Sequence, residues 1–222
     1  MVLYDISMTI TEDMPVYKED KAKKPVLTVT RDFGSSSAFE SRLEMDMHTG
    51  THIDMPLHFI PGGDTSEKWD VDGMFTRCTV LDFTDLDAEV ITMKDLEQKM
   101  QEIGDDSQVF GRKMTVLLKT KNSMKEAFDP SFTYLDKTGA AYLAEKKIAG
   151  VGIDALGIER DQPAHETHKT LLEAGIWIIE GLRLNEVPQG SYILAVLPLK
   201  IKGVEAVPAR AVLLASASMP LA

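Results

Sequence analysis

Only one cysteine, Cys78, occurs in the 222 residues, so no disulfide can form within the chain. No partner motif lies near it, and it reads as a small core residue rather than a reactive thiol. No window approaches the ~20 apolar residues of a membrane span. The opening stretch, Met1 to Ile10, carries Asp5 and lacks a basic region before an apolar run, so it does not read as a signal peptide. These features together point to a reducing, cytoplasmic setting. Positive charge is scarce, with Lys+Arg at 24 against Asp+Glu at 35 and a net charge of −11. That balance argues against nucleic acid and anionic membrane as partners, since both need clustered cations. There is no internal repeat and no low-complexity linker. The composition that remains, 44% hydrophobic and 27% charged, suits one soluble globular domain that can bury a core.

The periodicity of the chain predicts strands over Val2 to Ile10 and Pro25 to Arg31, with a turn at Gly34 to Ser37. From Phe39 to Thr51 the pattern alternates: Leu43, Met45 and Met47 against Glu44, Asp46 and His48. In a strand this separates an apolar from a polar face. Thr79 to Phe83 is a further strand. Thr92 opens a helix with Asp95 in a capping arrangement, Met93, Leu96, Met100 and Ile103 at helical spacing, and Gly104 as its stop. Met114 to Lys119 is strand-like, and Asp136 caps a second helix running towards Lys147. Ile148 to Ile153 and Ile176 to Ile179 are buried strands flanking a short helix over Thr167 to Ala174, ended by Gly175. Tyr192 to Leu197 and Ala209 to Leu214 complete the strands. This order predicts a single α/β domain over residues 1–215, with a mixed sheet and helices outside, and a frayed tail over 216–222.

The five histidines fall into two groups. The first is His48-Thr-Gly-Thr-His52-Ile-Asp54-Met-Pro56-Leu-His58-Phe59. If the strand continues through it, His48, Gly50, His52 and Asp54 point the same way. Two imidazoles and a carboxylate would then share one face, with a glycine where a metal or substrate can approach the backbone. That donor set suits zinc, manganese or iron. Pro56 ends regular pairing, and His58 follows on a loop, where a base or proton shuttle is useful. A helical reading fails, because Gly50, two threonines and Pro56 disfavour helix. The second group is His165-Glu-Thr-His168, with Glu180 at the end of a buried strand. A carboxylate after Ile176-Trp-Ile-Ile179 requires a partner, whether a metal, Arg183 or solvent. His165 reads as a solvated loop residue, or as a substitute ligand for His168.

The first group resembles the HxGTHxDxPxHF signature of the cyclase family of metal hydrolases, which includes bacterial kynurenine formamidases. The match runs through His48, Gly50, Thr51, His52, Asp54, Pro56, His58 and Phe59. Tyr4-Asp-Ile-Ser7, Pro15, Gly152-Ile-Asp154, Glu180-Gly-Leu182, Leu197-Pro-Leu199 and Val207-Pro-Ala-Arg210 extend the resemblance over nearly the whole chain. It implies a swivelling β/β/α fold and a homodimer or homotetramer with sites near the subunit contact. It also implies one or two zinc ions, with manganese as the alternative. His48, His52 and Asp54 would hold one ion, and His168 and Glu180 a second, bridged by Asp54. His58 would be the general base and acid. The substrate it implies is a small-molecule amide, foremost the formamide of N-formyl-L-kynurenine in tryptophan degradation. Ala155-Leu-Gly-Ile-Glu159 departs from the formamidases, which tend to show Ser or Pro there, and the family also takes isatin, other cyclic amides and other acids. Two more distant readings are weaker. An Fe(II) oxygenase using His52, Asp54 and His168 would leave His48, His58 and Glu180 without roles. A structural metal site would favour cysteines.

Overall fold

A computed structural model of the chain describes residues 2–70, 73, 75–103 and 114–215. The strands are β1 (Val2–Asp5), β2 (Val26–Arg31), β3 (Glu40–Glu44), β4 (His52–Asp54), β5 (Phe75–Asp82) and β6 (Val90–Ile91). They continue with β7 (Met114–Lys119), β8 (Tyr134–Leu135), β9 (Gly150–Ile153), β10 (Trp177–Glu180), β11 (Gly190–Pro198) and β12 (Ala206–Ala215). The helices are α1 (Met93–Ile103), α2 (Lys137–Glu145) and α3 (Glu166–Glu173).

The short apolar runs behave as their composition requires. β7 and β9 are buried along their whole length, as expected of parallel strands covered on both faces. They belong to an eight-stranded sheet in the order β1-β12-β11-β5-β7-β9-β10-β4. β5, β7, β9 and β10 run parallel, and the remaining neighbours are antiparallel. β4 also pairs with β12, so the sheet returns on itself as a closed ring. The pleat divides its side chains between two cores. Leu81, Val116, Leu118, Val151, Ile153 and Ile178 meet Leu96, Met100, Leu143 and Leu171 of the helices. Val80, Leu117, Ile179, Leu194 and Leu213 face the other way, with Ile53 and the fully buried Cys78. This is the mixed-sheet α/β architecture expected from the sequence.

The caps are where the residue types place them. Asp95 accepts from both the amide and hydroxyl of Thr92, and Asp136 accepts from the amides of Thr138 and Gly139. Such a cap stabilises a helix by about 1 kcal/mol. Gly104 and the tail 216–222 lie outside the described residues. Among the described residues no helix is long and apolar enough to cross a membrane.

Two expectations need correction. The first strand ends at Asp5 rather than Ile10, because the chain turns there to lay Met8 against the Thr51 hydroxyl, at 2.8 Å. The strand expected from Phe39 to Thr51 ends at Glu44. Asp46 folds back to accept from the His48 amide at 3.0 Å, and its carbonyl accepts from Thr49 at 3.1 Å. Gly50 then takes a φ of 72°, which no extended strand passes through. The expected turn at Gly34 to Ser37 is present, held by Asp32, and joins β2 to β3 as a hairpin. Both strands of that hairpin are exposed along their length, including Val26, Leu27, Val29 and Leu43.

Candidate metal centre

His52 and Asp54 are alternate residues of β4, so both project from one face of the strand. In the β4–β10 ladder His52 lies directly opposite Glu180, which puts the His52 Nε2 3.4 Å from the Glu180 Oε2. His168, on the first turn of α3, delivers its Nε2 to within 3.3 Å of the Glu180 Oε1 and 3.5 Å of the Asp54 Oδ2. His48 arrives differently from the expectation. It lies in the turn before Gly50 rather than on a continuous strand, and its Nδ1 sits 3.1 Å from the Asp54 Oδ1 and 3.2 Å from the His52 Nε2. All five residues named from the sequence thus converge, although only His52 and Asp54 share a strand.

The outward nitrogens fix the tautomers. The His52 Nδ1 donates to the Gly50 carbonyl at 2.9 Å, and the His168 Nδ1 donates to the Glu159 Oε1 at 2.6 Å. Because those partners only accept, each Nε2 points inward with its lone pair unless a second proton is added. His52, Asp54, His168 and Glu180 are nearly or fully buried, and both Asp54 oxygens lack a hydrogen-bond partner. Burial alone would lower the pKa of His52, but Asp54 and Glu180 outweigh it and raise it to about 10. Burial raises the Glu180 carboxyl, as does the Asp54 charge, yet contacts to His168 and His52 bring it down to about 2. Inward lone pairs facing buried carboxylates require positive charge between them, either protons or a cation. The donor separations of 3.1–3.5 Å decide how well a cation fits. Ligands about 2.0–2.1 Å from a tetrahedral zinc ion stand about 3.3–3.4 Å from one another. The residues present therefore fit a divalent ion.

His58 ends the short turn Pro56–His58, its ring centroid 4.2 Å from that of His48 and 5.8 Å from that of His168. Burial holds its pKa down to about 4, with the charges of Asp54 and Glu180 opposing the shift and the imidazoles of His48 and His168 adding to it, so it is neutral at pH 7. Phe59 stacks beside His165 and His168, with centroids 4.5 Å from each. His48, His168 and Glu180 of the cluster, with His58, line a cavity of about 250 Å³ whose walls include Tyr17, Lys23, Phe59, Leu156 and Gln162. His165 is half exposed at the wall, with Glu159 2.9 Å from its Nδ1. Sequence reasoning missed Glu159. It is 6% exposed, binds both histidines of the second group, and accepts from the Thr167 amide at 2.9 Å. No periodicity or spacing marks it, because its neighbours come from α3.

Comparison with known proteins agrees with this geometry. A buried imidazole–carboxylate cluster beside a cavity, on this mixed sheet, is a site that could hold a metal ion, and its relatives make the chain an enzyme of the cyclase-like amidohydrolase kind. The Cyclase family model, described as "Putative cyclase", matches residues 4–160, and the chain belongs to this family. The chain is similar to kynurenine formamidase of Salinibacter ruber, 31% identical over 219 residues that cover 96% of this chain and 97% of the relative. A solved structure described as a "Potential Metal-Dependent Hydrolase With Cyclase Activity" is 44% identical, with a TM-score of 0.85 over 96% of both chains. Isatin hydrolase A from Labrenzia aggregata, 22% identical, shares the fold with a TM-score of 0.83 over 96% of this chain and 93% of its own.

Proposed function

We propose that this enzyme hydrolyses an aryl formamide, foremost that of N-formyl-L-kynurenine, with His48, His52, Asp54, His168 and Glu180 holding one or two zinc ions, or manganese in their place. The observation that carries this reading is the convergence of those five side chains, three of which (His48, His168 and Glu180) line the cavity beside His58. The formamidase relative, alike over nearly its full length, supports the substrate. A divalent ion held there makes water nucleophilic near neutral pH and polarises a carbonyl. His58 takes the proton of the attacking water and returns it to the leaving nitrogen as the C–N bond breaks, releasing formate and the aryl amine. His52 and His168, locked by Gly50 and Glu159, keep their Nε2 atoms turned inward, where they would hold the ion.

The test is to purify the protein without added metal, count zinc, manganese and iron per chain, and assay N-formylkynurenine and isatin side by side. Bound zinc or manganese with turnover of the formamide is expected. Isatin hydrolysis instead would move the substrate to cyclic amides. A protein without metal that stays inactive after zinc or manganese is added would overturn the reading. The His58→Ala variant is expected to retain its metal and lose about 10²–10⁴-fold in kcat.

We also propose a homodimer or homotetramer, supported by the hairpin of β2 and β3. A lone two-stranded ribbon is marginally stable in water, and this one exposes Val26, Leu27, Val29, Phe33, Phe39 and Leu43. Light scattering on the intact protein reads the assembly directly.

A further inference from the structure

We propose that Lys23 binds a carboxylate carried by the substrate and thereby selects acidic aryl formamides over neutral ones; this rests on the hydrolase reading given above. Two cationic side chains besides the histidines line the cavity, Lys23 and Arg160. The Arg160 guanidinium is committed, to Glu89 at 2.8 Å, Asp161 at 3.2 Å and the Phe132 carbonyl at 3.0 Å. Among the described residues, the one ion pair found for Lys23 is long, 3.8 Å to Asp46. Its main chain is tied to the metal loop, because the Thr49 hydroxyl donates to the Lys23 carbonyl at 2.9 Å. Asp46 in turn accepts from the His48 amide. The ammonium therefore lies beside Asp46, in the loop that carries His48, on a side chain that lines the cavity and is 31% exposed, whereas His168 and Glu180 are buried.

The segment that brings it there is held against its local preference. Lys18 and Glu19 are consecutive non-glycine residues with φ of 57° and 50°. Side chains disfavour that region, and such strain persists where the surroundings impose it. The result sets Tyr17, edge-on to Phe128 at 5.4 Å and Phe132 at 6.4 Å, on one wall of the cavity, with Phe59 also lining it. A formamide whose carbonyl reaches the cluster puts its ring between these aromatic walls and its polar tail at the mouth. A chain of net charge −11 repels an anion at long range, so an acidic substrate needs a local cation, and Lys23 supplies it.

The experiment compares metal-loaded wild type with Lys23→Met and Lys23→Arg on N-formyl-L-kynurenine, which carries a carboxylate, and on formanilide, which does not. For Lys23→Met we expect KM for N-formylkynurenine to rise roughly twofold to fivefold, the range of a partly exposed ion pair. Its kcat and its kinetics on formanilide should be unchanged, and Lys23→Arg should restore the KM. Wild-type KM for N-formylkynurenine should also rise with salt, and the methionine variant should lose that dependence. Equal effects on both substrates, or none on either, overturn the assignment while formanilide turnover keeps the hydrolase standing. Failure of the wild type on both substrates overturns the hydrolase reading and the assignment with it.

Discussion

A histidine offers an ion one nitrogen, and the contact made by its other nitrogen decides which. Glu159 makes that decision for His168. Replacing it by alanine frees the ring and is expected to weaken metal binding about 10–100-fold, as loss of such partners does; a competition titration with a zinc chelator reads it. Asp154, buried after β9, gives a second test through pH. Burial raises its pKa to about 6 against hydrogen bonds from Ser123 and Thr120. The folded protein then holds this proton where the unfolded chain, with a carboxyl near 3.8, has lost it. Its contribution to stability is fully present below pH 3.8 and is lost as pH rises to about 6. Thermal melts of wild type and Asp154→Asn should diverge over that window, with the wild type losing ground as pH rises. At this scale the signature residues were legible because they crowd one short stretch of sequence. Glu159 was not, because a single carboxylate acquires its role only when α3 packs above it.

Glycine sets the junctions between elements. Gly181, just after β10, has a φ of 69°, and a Cβ there would overlap the Gly50 carbonyl. Its own carbonyl accepts from the Thr51 hydroxyl at 2.6 Å. The Gly181→Ala variant should therefore lose at least about 1–2 kcal/mol of stability, and displacing Gly50 should loosen the His52 contact. Calorimetry and metal titration on the same sample would show both. The buried strands, α1 and α2 were legible from apolar runs and caps. The segment around His48 was misread because alternation cannot distinguish a strand from a polar loop whose residues alternate by chance. Asp46 and the left-handed Gly50 decide it, and both act through backbone geometry.

For the whole molecule, the proposed ion would couple folding to metal binding. Four buried ionisable side chains meet at one point, so a cation that binds only the folded chain stabilises it by mass action. At 100 times its Kd that is about 2.7 kcal/mol, or about 5–10 °C in Tm for a domain of this size. Stripping the metal with a chelator should lower the melting temperature by that amount, and restoring zinc should return it. The closure of the sheet was not legible in the sequence. β4 is three residues long, too short to announce its partners, and one of them, β12, comes from the far end of the chain.

That closure has a consequence in time. His52 is flanked by Glu180 on β10 and by Pro208 on β12, so the strand bearing it is enclosed only by segments more than 100 residues further along the chain. Contacts so distant along the chain form late in folding. The residues of the cluster are thus brought together only as the sheet closes, late in the assembly of the fold.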